Sequence, residues 1–188
     1  MEKWLIASDI HGSRRYARAV ADAFEREGAG RLLLLGDLLY HGPRNDLPED
    51  YAPKEVIALL NGLKGKIFCV RGNCEAEVDQ MVLAFPVMAE YCLLESAGRL
   101  VFATHGHHYN LESPPPLSPG EVLLHGHTHV PAKTLAPGGW WYLNPGSVSL
   151  PKEGSRRGYM TLQDGLFVWK ALDGTAYDRL DLRDRETL

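Results

Sequence analysis

The chain has 188 residues, of which 45% are hydrophobic and 23% charged, so we expect a globular protein with one core and a single domain over residues 1–188. A formal net charge of −4 indicates neither a nucleic-acid surface nor a membrane surface. No apolar run is long enough to cross a bilayer. The three cysteines lack the spacing of a disulfide framework, which favours reduced thiols and a cytoplasmic location. These features leave an enzyme or a scaffold protein open.

The first third of the chain predicts two β-α-β units. A short apolar strand, Lys3–Ser8, is followed by a helix over Arg14–Glu27 and a strand ending in four leucines, Leu32–Leu35. Pro53 begins a second helix that runs to about Leu60, and Lys66–Val70 forms a third buried strand. This order favours parallel strands joined by right-handed crossovers. The side of the first helix that faces the core is predicted to carry Tyr16, Ala19, Val20, Ala23 and Phe24.

The second half of the chain changes to short strands and tight turns after a brief helix over Glu77–Phe85. The predicted strands are Tyr91–Ser96, Arg99–Thr104, Glu121–Leu124, Lys133–Ala136, Trp140–Leu143, Tyr159–Leu162 and Leu166–Leu172. The tail from Asp181 is charged, and we expect it to be frayed. Both halves together fit an α/β fold of two packed sheets with helices on the outside.

Five of the predicted strands end in side chains that bind metal ions. Residues i and i+2 of an extended backbone point to the same side, so Asp9 and His11 face one way, as do His127 and His129. Open α/β sheets place their ligands at the carboxyl ends of the strands. The sequence therefore predicts one metal site built from Asp9, His11, Asp37, Asn73, His105, His127 and His129.

This ligand set contains only nitrogen and oxygen donors, which favours manganese, iron, zinc, cobalt or nickel over a thiolate site or a calcium or magnesium site. The charges point to two ions. Two divalent ions bring four positive charges, and Asp9 and Asp37 bring two negative ones. The remaining two positive charges match one phosphodiester and one hydroxide, which suits displacement at phosphorus.

The order of these motifs resembles the signature of the calcineurin-like metallophosphoesterases. The motifs are Asp9-x-His11, Gly36-Asp37, Gly72-Asn73, His105-Gly106 and Gly126-His127-x-His129, with Asn144-Pro145-Gly146-Ser147 beyond them. The stretches His41-Gly42-Pro43-Arg44-Asn45 and Arg71-Gly72-Asn73-Cys74-Glu75 resemble the small bacterial YfcE-type phosphodiesterases. Each motif alone is weak, but all five in order are specific.

The resemblance implies a four-layer α-β-β-α sandwich and a metal-dependent phosphodiesterase whose small substrate is attacked by a hydroxide held at a dinuclear centre. It implies one ion held by Asp9, His11, Asp37 and His129, and a second held by Asp37, Asn73, His105 and His127. Asp37 then bridges the two ions. Manganese is the metal that the resemblance favours, with zinc, iron, cobalt and nickel as alternatives.

One residue departs from the family pattern. Many members have a histidine after the Gly-Asn pair that helps to protonate the leaving group, whereas this chain has Cys74. A thiol with an ordinary pKa of about 8.5 is a poorer acid than an imidazolium near neutral pH. We therefore expect a preference for substrates whose leaving group needs little protonation.

Two alternatives use the same fold. A protein-binding scaffold that resembles the retromer subunit Vps29 would have an eroded metal site, but no candidate ligand is missing here. A phosphomonoesterase or protein phosphatase is disfavoured by Cys74 and by the short chain. A homo-oligomer that uses the strand at Trp140–Tyr142 is left open. Structural or solvent-facing roles are predicted for the remaining histidines, namely His41, His107, His108 and His125. Arg44 and Arg71 could each reach a phosphate oxygen, but a loop ion pair is the prediction for both.

Overall fold

The structure is a computed structural model that describes residues 2–184. The three helices of this range are α1 (Arg14–Arg26), α2 (Pro53–Gly62) and α3 (Glu77–Val82). Its eleven strands are β1 (Trp4–Ala7), β2 (Arg31–Leu34), β3 (Ile67–Cys69), β4 (Tyr91–Ser96), β5 (Arg99–Thr104), β6 (Val122–Leu124), β7 (Ala132–Leu135), β8 (Trp141–Asn144), β9 (Gly158–Gln163), β10 (Leu166–Ala171) and β11 (Ala176–Asp181). No described helix has the length and apolarity that a bilayer crossing requires.

The first sheet has the strand order β11-β10-β9-β1-β2-β3, and the predicted parallel pairing of β1, β2 and β3 is confirmed. Strand β2 explains the run of four leucines, because both of its faces are buried. Leu32 and Leu34 pack with the helices, whereas Leu33 and Leu35 pack between the two sheets. A polar side chain at any of these positions would therefore point into a buried layer, so the run is apolar throughout.

The second sheet has the order β4-β5-β6-β8-β7 and packs against the first through apolar side chains such as Val101, Val122 and Leu143. Its opposite face carries Phe102, Leu123 and Tyr142. Residues of the described segment 105–121, which forms no helix, cover this face. The covering side chains include Tyr109 and Leu117. The predicted two-sheet α/β sandwich is confirmed, and an aromatic loop layer lies outside its second sheet.

Helix α1 begins at Ser13, whose Oγ accepts a hydrogen bond from the main-chain N–H of Tyr16. Its buried residues include Ala17, which was not predicted, while Ala19 is only half-buried. The reason is geometric, because each residue turns about 100° around a helix axis and Ala19 therefore lies at the edge of the face centred on Val20.

One helix and one strand, α3 and β11, differ from the prediction. Helix α3 ends at Val82 rather than Phe85, because the backbone is already extended at Leu83. Strand β11 was not predicted, since it is an edge strand in which only Leu180 is buried. Its polar residues hide the strand pattern. The tail predicted to be frayed begins at Asp181, which is the last residue of β11. Residues 185–188 of that tail lie outside the described residues.

Candidate metal centre

The seven predicted ligands converge at the carboxyl ends of the strands, as the motif positions predicted. Five of them have left-handed backbone conformations, an unusual geometry for residues other than glycine. Their φ values lie between 50° and 65° and belong to Asp9, His11, Asp37, His127 and His129. Strain of this kind collects at functional sites, where surrounding contacts hold the backbone in place.

A first group of donors is buried and consists of Asp9, His11 and His129. The Nε2 atom of His129 lies 3.3 Å from Asp9 Oδ1. The two Nε2 atoms of His11 and His129 are 3.2 Å apart. Asp9 Oδ1 is buried and has no hydrogen-bond partner among the described residues. These atoms surround one point between β1 and the loop after β6.

A second group consists of Asn73, His105 and His127 and lies closer to the surface, since Asn73 is exposed. The Nε2 atom of His105 is 3.1 Å from Asn73 Oδ1 and 3.1 Å from His127 Nδ1. The three donors come from the ends of β3, β5 and β6. The structure therefore brings together the second set of residues that the motifs predicted.

Asp37 lies between the two groups. Its Oδ2 atom is 3.7 Å from His11 Nε2 in the first group and 3.5 Å from His105 Nε2 in the second. The Asp37 side chain is almost fully buried. A single carboxylate thus faces both clusters of donors.

The orientation of three histidines is fixed by hydrogen bonds to main-chain carbonyl groups. The Nδ1 atoms of His11, His105 and His129 donate to the carbonyl oxygens of Tyr40 (2.8 Å), Leu35 (2.6 Å) and Leu150 (2.6 Å) respectively. Because a carbonyl oxygen can only accept, each Nδ1 carries the hydrogen and each Nε2 lone pair faces the site. This support of the remote nitrogen is typical of histidines that bind metal ions. The donors therefore fit a His/Asp metal-binding site for divalent ions.

The charges of the site favour cations. Burial alone would raise the pKa of Asp9, but the imidazoles of His11 and His129 beside it hold that pKa well below its usual range. Burial opposes the charged form of His11, yet the Asp9 and Asp37 carboxylates outweigh this effect and raise its pKa. Two buried carboxylates therefore maintain negative potential at the centre of the site.

Glu75 supports the site in a way that the sequence alone did not reveal. Its buried carboxylate accepts hydrogen bonds from the main-chain N–H groups of Asp37 (2.8 Å), Leu38 (2.7 Å) and Gly72 (2.5 Å). Burial, and then repulsion from Asp37, raises its pKa to about 7. Gly72 allows this close approach, because a Cβ atom there would collide with the Asp37 side chain. Glu75 thus joins the loops after β2 and β3.

The Asn144–Ser149 segment holds two other loops of the site. Asn144 Nδ2 donates to the carbonyl oxygen of Gly126 at 2.8 Å, next to His127. The hydroxyl groups of Ser147 and Ser149 each donate to the carbonyl oxygen of Asp9 at 2.8 Å. The motif at Asn144 was visible in the sequence, but its partners are distant along the chain and became known only from the structure.

Cys74 lies at the edge of the site. Its thiol belongs to a cluster with His11 and Asp37 in which the potential ligand atoms lie within 4.8 Å of one another. Its main-chain N–H donates to Asp37 Oδ1 at 2.9 Å. Burial, followed by the nearby Asp37 carboxylate, raises the pKa of the thiol well above its ordinary value. The thiol therefore stays protonated near neutral pH and is a weak acid.

Arg71 and His108 meet at Glu90 in a separate cluster, whereas His125 lies beside the candidate metal centre. Arg71 pairs with Glu90 at 3.3 Å, which confirms the predicted loop ion pair. His108 Nδ1 also lies 2.9 Å from Glu90, and its side chain is exposed. His125 is buried and stacks on Tyr142, with ring centroids 4.4 Å apart. These positions agree with the structural and solvent-facing roles predicted for them.

The family follows from a comparison with known proteins. The model of the calcineurin-like phosphoesterase superfamily domain matches residues 3–164. The chain belongs to this superfamily. It is a hydrolase that acts on phosphoester bonds, as its relatives are.

Individual relatives agree with this assignment. The chain is 44% identical to the phosphodiesterase YfcE of Escherichia coli K12 over 173 residues, which are 92% of this chain and 94% of the relative. A solved structure of the Escherichia coli phosphoesterase YfcE superposes with a TM-score of 0.92 at 41% identity and covers 96% of this chain and 100% of its own. Vps29 from Cryptosporidium parvum shares the fold at 16% identity, with a TM-score of 0.60 and coverage of 96% and 98%.

Proposed function

We propose that this hydrolase cleaves phosphodiesters at a centre of two divalent metal ions. The observation that carries the proposal is the division of seven donors into two groups that share Asp37. The 44% identity to a protein named a phosphodiesterase supports the choice of diester over monoester.

In this proposal each ion has four protein ligands. Asp9, His11, Asp37 and His129 would hold one, and Asp37, Asn73, His105 and His127 would hold the other. Bound ions at such a centre polarise the phosphoryl oxygens and lower the pKa of water. Manganese is the proposed metal, with zinc, iron, cobalt and nickel as alternatives, because imidazole and carboxylate donors suit all of them.

The residues of the chain position the reaction rather than transfer protons. Asp9 and Asp37 supply negative charge, and His11, His105 and His129 present Nε2 lone pairs that their carbonyl partners hold in place. Near the site, Cys74 occupies the position at which an acid is expected, and its raised pKa makes it a poor proton donor. We therefore expect diesters with a good leaving group to be the preferred substrates.

A scaffold function is less well supported. The Vps29 structures are only 12–20% identical, which is a likeness of fold alone. All seven donor residues of the proposed enzyme site are present in this chain and lie together. A cytoplasmic location is part of the proposal, in keeping with the free thiols of Cys69, Cys74 and Cys92. A homo-oligomer that uses the strand at Trp140–Tyr142 stays a prediction.

Metal analysis of the whole chain tests the proposed ligands. Metal-stripped protein is loaded with manganese, and bound metal is counted by elemental analysis after gel filtration. We expect two ions per chain, and fewer for His129→Asn, whereas the control Asp22→Asn, an exposed position on α1 outside both groups, keeps two. One ion in the wild type, or an unchanged count in His129→Asn, would contradict the ligand assignment.

A further inference from the structure

A cavity of about 320 Å³ lies directly beside the candidate metal centre. The loop after β6 contributes His127, a proposed ligand, together with His125 and Thr128, and the other walls come from the loop after β5 and from β8. The cavity therefore shares the His127 side chain with the candidate metal centre, and an ester arm of a phosphate held at that centre has this cavity beside it.

The inner wall of the cavity consists of two flat rings. His125 and Tyr142 both line it, and their rings stack with centroids 4.4 Å apart and an interplanar angle of 27°. Both side chains are buried, with 2% and 5% exposure, whereas the neighbouring Leu111 is 45% exposed and offers open apolar surface. Asn144 Nδ2 holds the Tyr142 hydroxyl at 2.9 Å, which fixes the ring. A wall of this kind suits a planar apolar group.

The rim of the cavity is shaped before any ligand binds. Asn110 donates to the carbonyl oxygen of Gly106 and accepts from the N–H groups of Glu112 and Ser113. Gly106 has a φ of 116°, and a Cβ atom at this position would collide with the His125 ring. The exposed side chain of Leu111 adds apolar surface to this rim. Preformed surfaces lose less conformational entropy on binding.

The charge of the cavity selects against a second anion. Glu112 is the one carboxylate on its rim, and no lysine or arginine is among the described residues that line it. An arm that carries another phosphate or a carboxylate would therefore meet a like charge without a compensating cation. Phosphodiesters with a single negative charge fit this distribution.

We propose that this cavity binds an uncharged aromatic ester arm of the phosphodiester substrate. The inference rests on the proposed function, because it places the phosphate at the metal centre. It goes further by naming the chemistry of one arm and the residues that recognise it. Leu111, Tyr142 and the His125 ring supply the apolar contacts, and Glu112 repels anionic arms.

Direct binding tests this proposal without hydrolysis. Dimethylphosphinate and diphenylphosphinate each carry one negative charge and have no ester bond to cleave, so calorimetry with manganese-loaded full-length protein measures their affinities alone. We expect diphenylphosphinate to bind about tenfold more tightly, as burial of an aromatic ring against apolar surface predicts. Leu111→Asp should reduce this ratio at least fivefold. Leu135→Asp, at a leucine of similar exposure on β7 and away from the cavity, should leave it unchanged.

The outcomes separate this inference from the proposed function. Equal affinity for the two phosphinates, or the same ratio in wild type and Leu111→Asp, would overturn the aromatic subsite while the anion-binding centre stands. Failure of both phosphinates to bind would overturn the proposed function and the subsite with it. Loss of the ratio in Leu135→Asp would show that the preference arises elsewhere on the surface, and would also overturn the inference.

Discussion

The main-chain N–H of Asp37 donates a hydrogen bond to Glu75 Oε2 at 2.8 Å, and the same oxygen accepts from Gly72. One buried carboxylate thereby joins the loop of the central aspartate to the loop that carries Asn73. This link holds the two donor groups together through main-chain hydrogen bonds beside Asp37. Residues of this kind influence metal affinity without touching the metal.

Glu75→Gln should weaken the metal centre. The amide NH₂ group would face main-chain N–H donors where a carboxylate oxygen now accepts them, and the Asp37 loop would shift. We expect metal affinity and kcat to fall by about 10–100-fold with a smaller change in KM. Titration with manganese and steady-state kinetics measure both effects. Glu77→Gln, an exposed position two residues away, is the matched control, and wild-type affinity in Glu75→Gln would refute the positioning role.

Asn144→Ala should destabilise the protein. The substitution removes one partner of the buried Gly126 carbonyl oxygen, which keeps His125 Nδ1 at 3.0 Å as one of its other partners, and it also removes the hydrogen bond to Tyr142. We expect the free energy of unfolding to fall by about 1–3 kcal/mol. Urea denaturation measures this change. The control is Asn45→Ala, whose side chain bonds a carbonyl group in a surface loop and whose loss should change stability less.

Glu27 should stabilise the folded protein at neutral pH and lose this effect in acid. Burial would raise the pKa of this carboxyl, but hydrogen bonds from Lys170, Lys3 and Tyr159 outweigh it and lower the pKa to about 2. A lowered folded-state pKa contributes stability above the unfolded-state pKa of about 4.5, and this contribution disappears as the pH falls toward 2.

Glu27→Gln should therefore cost about 2 kcal/mol of unfolding free energy at pH 7 and progressively less below pH 4.5. Denaturation curves measured between pH 2 and pH 7 reveal this convergence with the wild type. Glu25→Gln, on the exposed face of the same helix, should show no such pH dependence. A constant difference between Glu27→Gln and wild type across the range would disprove the assignment.

Cys74→His should broaden the range of leaving groups. An imidazole at this position would donate a proton near neutral pH, whereas the thiol with its raised pKa does not. We expect phenyl esters to gain rate relative to p-nitrophenyl esters, and Cys74→Ser to show no such gain. An unchanged profile of rate against leaving-group pKa in Cys74→His would end this explanation.

The sequence could predict which residues come together because these residues follow a local pattern. Asp9, His11 and Asp37 are ligand-type residues placed at the ends of apolar strands, and such a pattern can be read along the chain. Glu75 and Asn144 were not assigned roles, because their functions depend on main-chain groups brought near by folding. The edge strand β11 was missed for a related reason, since only Leu180 among its residues is buried.

A shared Asp37 between the two donor groups makes phosphodiester hydrolysis dependent on metal. The most direct measurement is hydrolysis of an aryl phosphodiester and of its matching monoester by metal-stripped protein, before and after manganese is added back. We expect diester turnover that requires the metal, exceeds monoester turnover, and is lost in Asp37→Asn. Full diester activity in metal-stripped protein or in Asp37→Asn would refute the two-metal phosphodiesterase, as would faster turnover of the monoester.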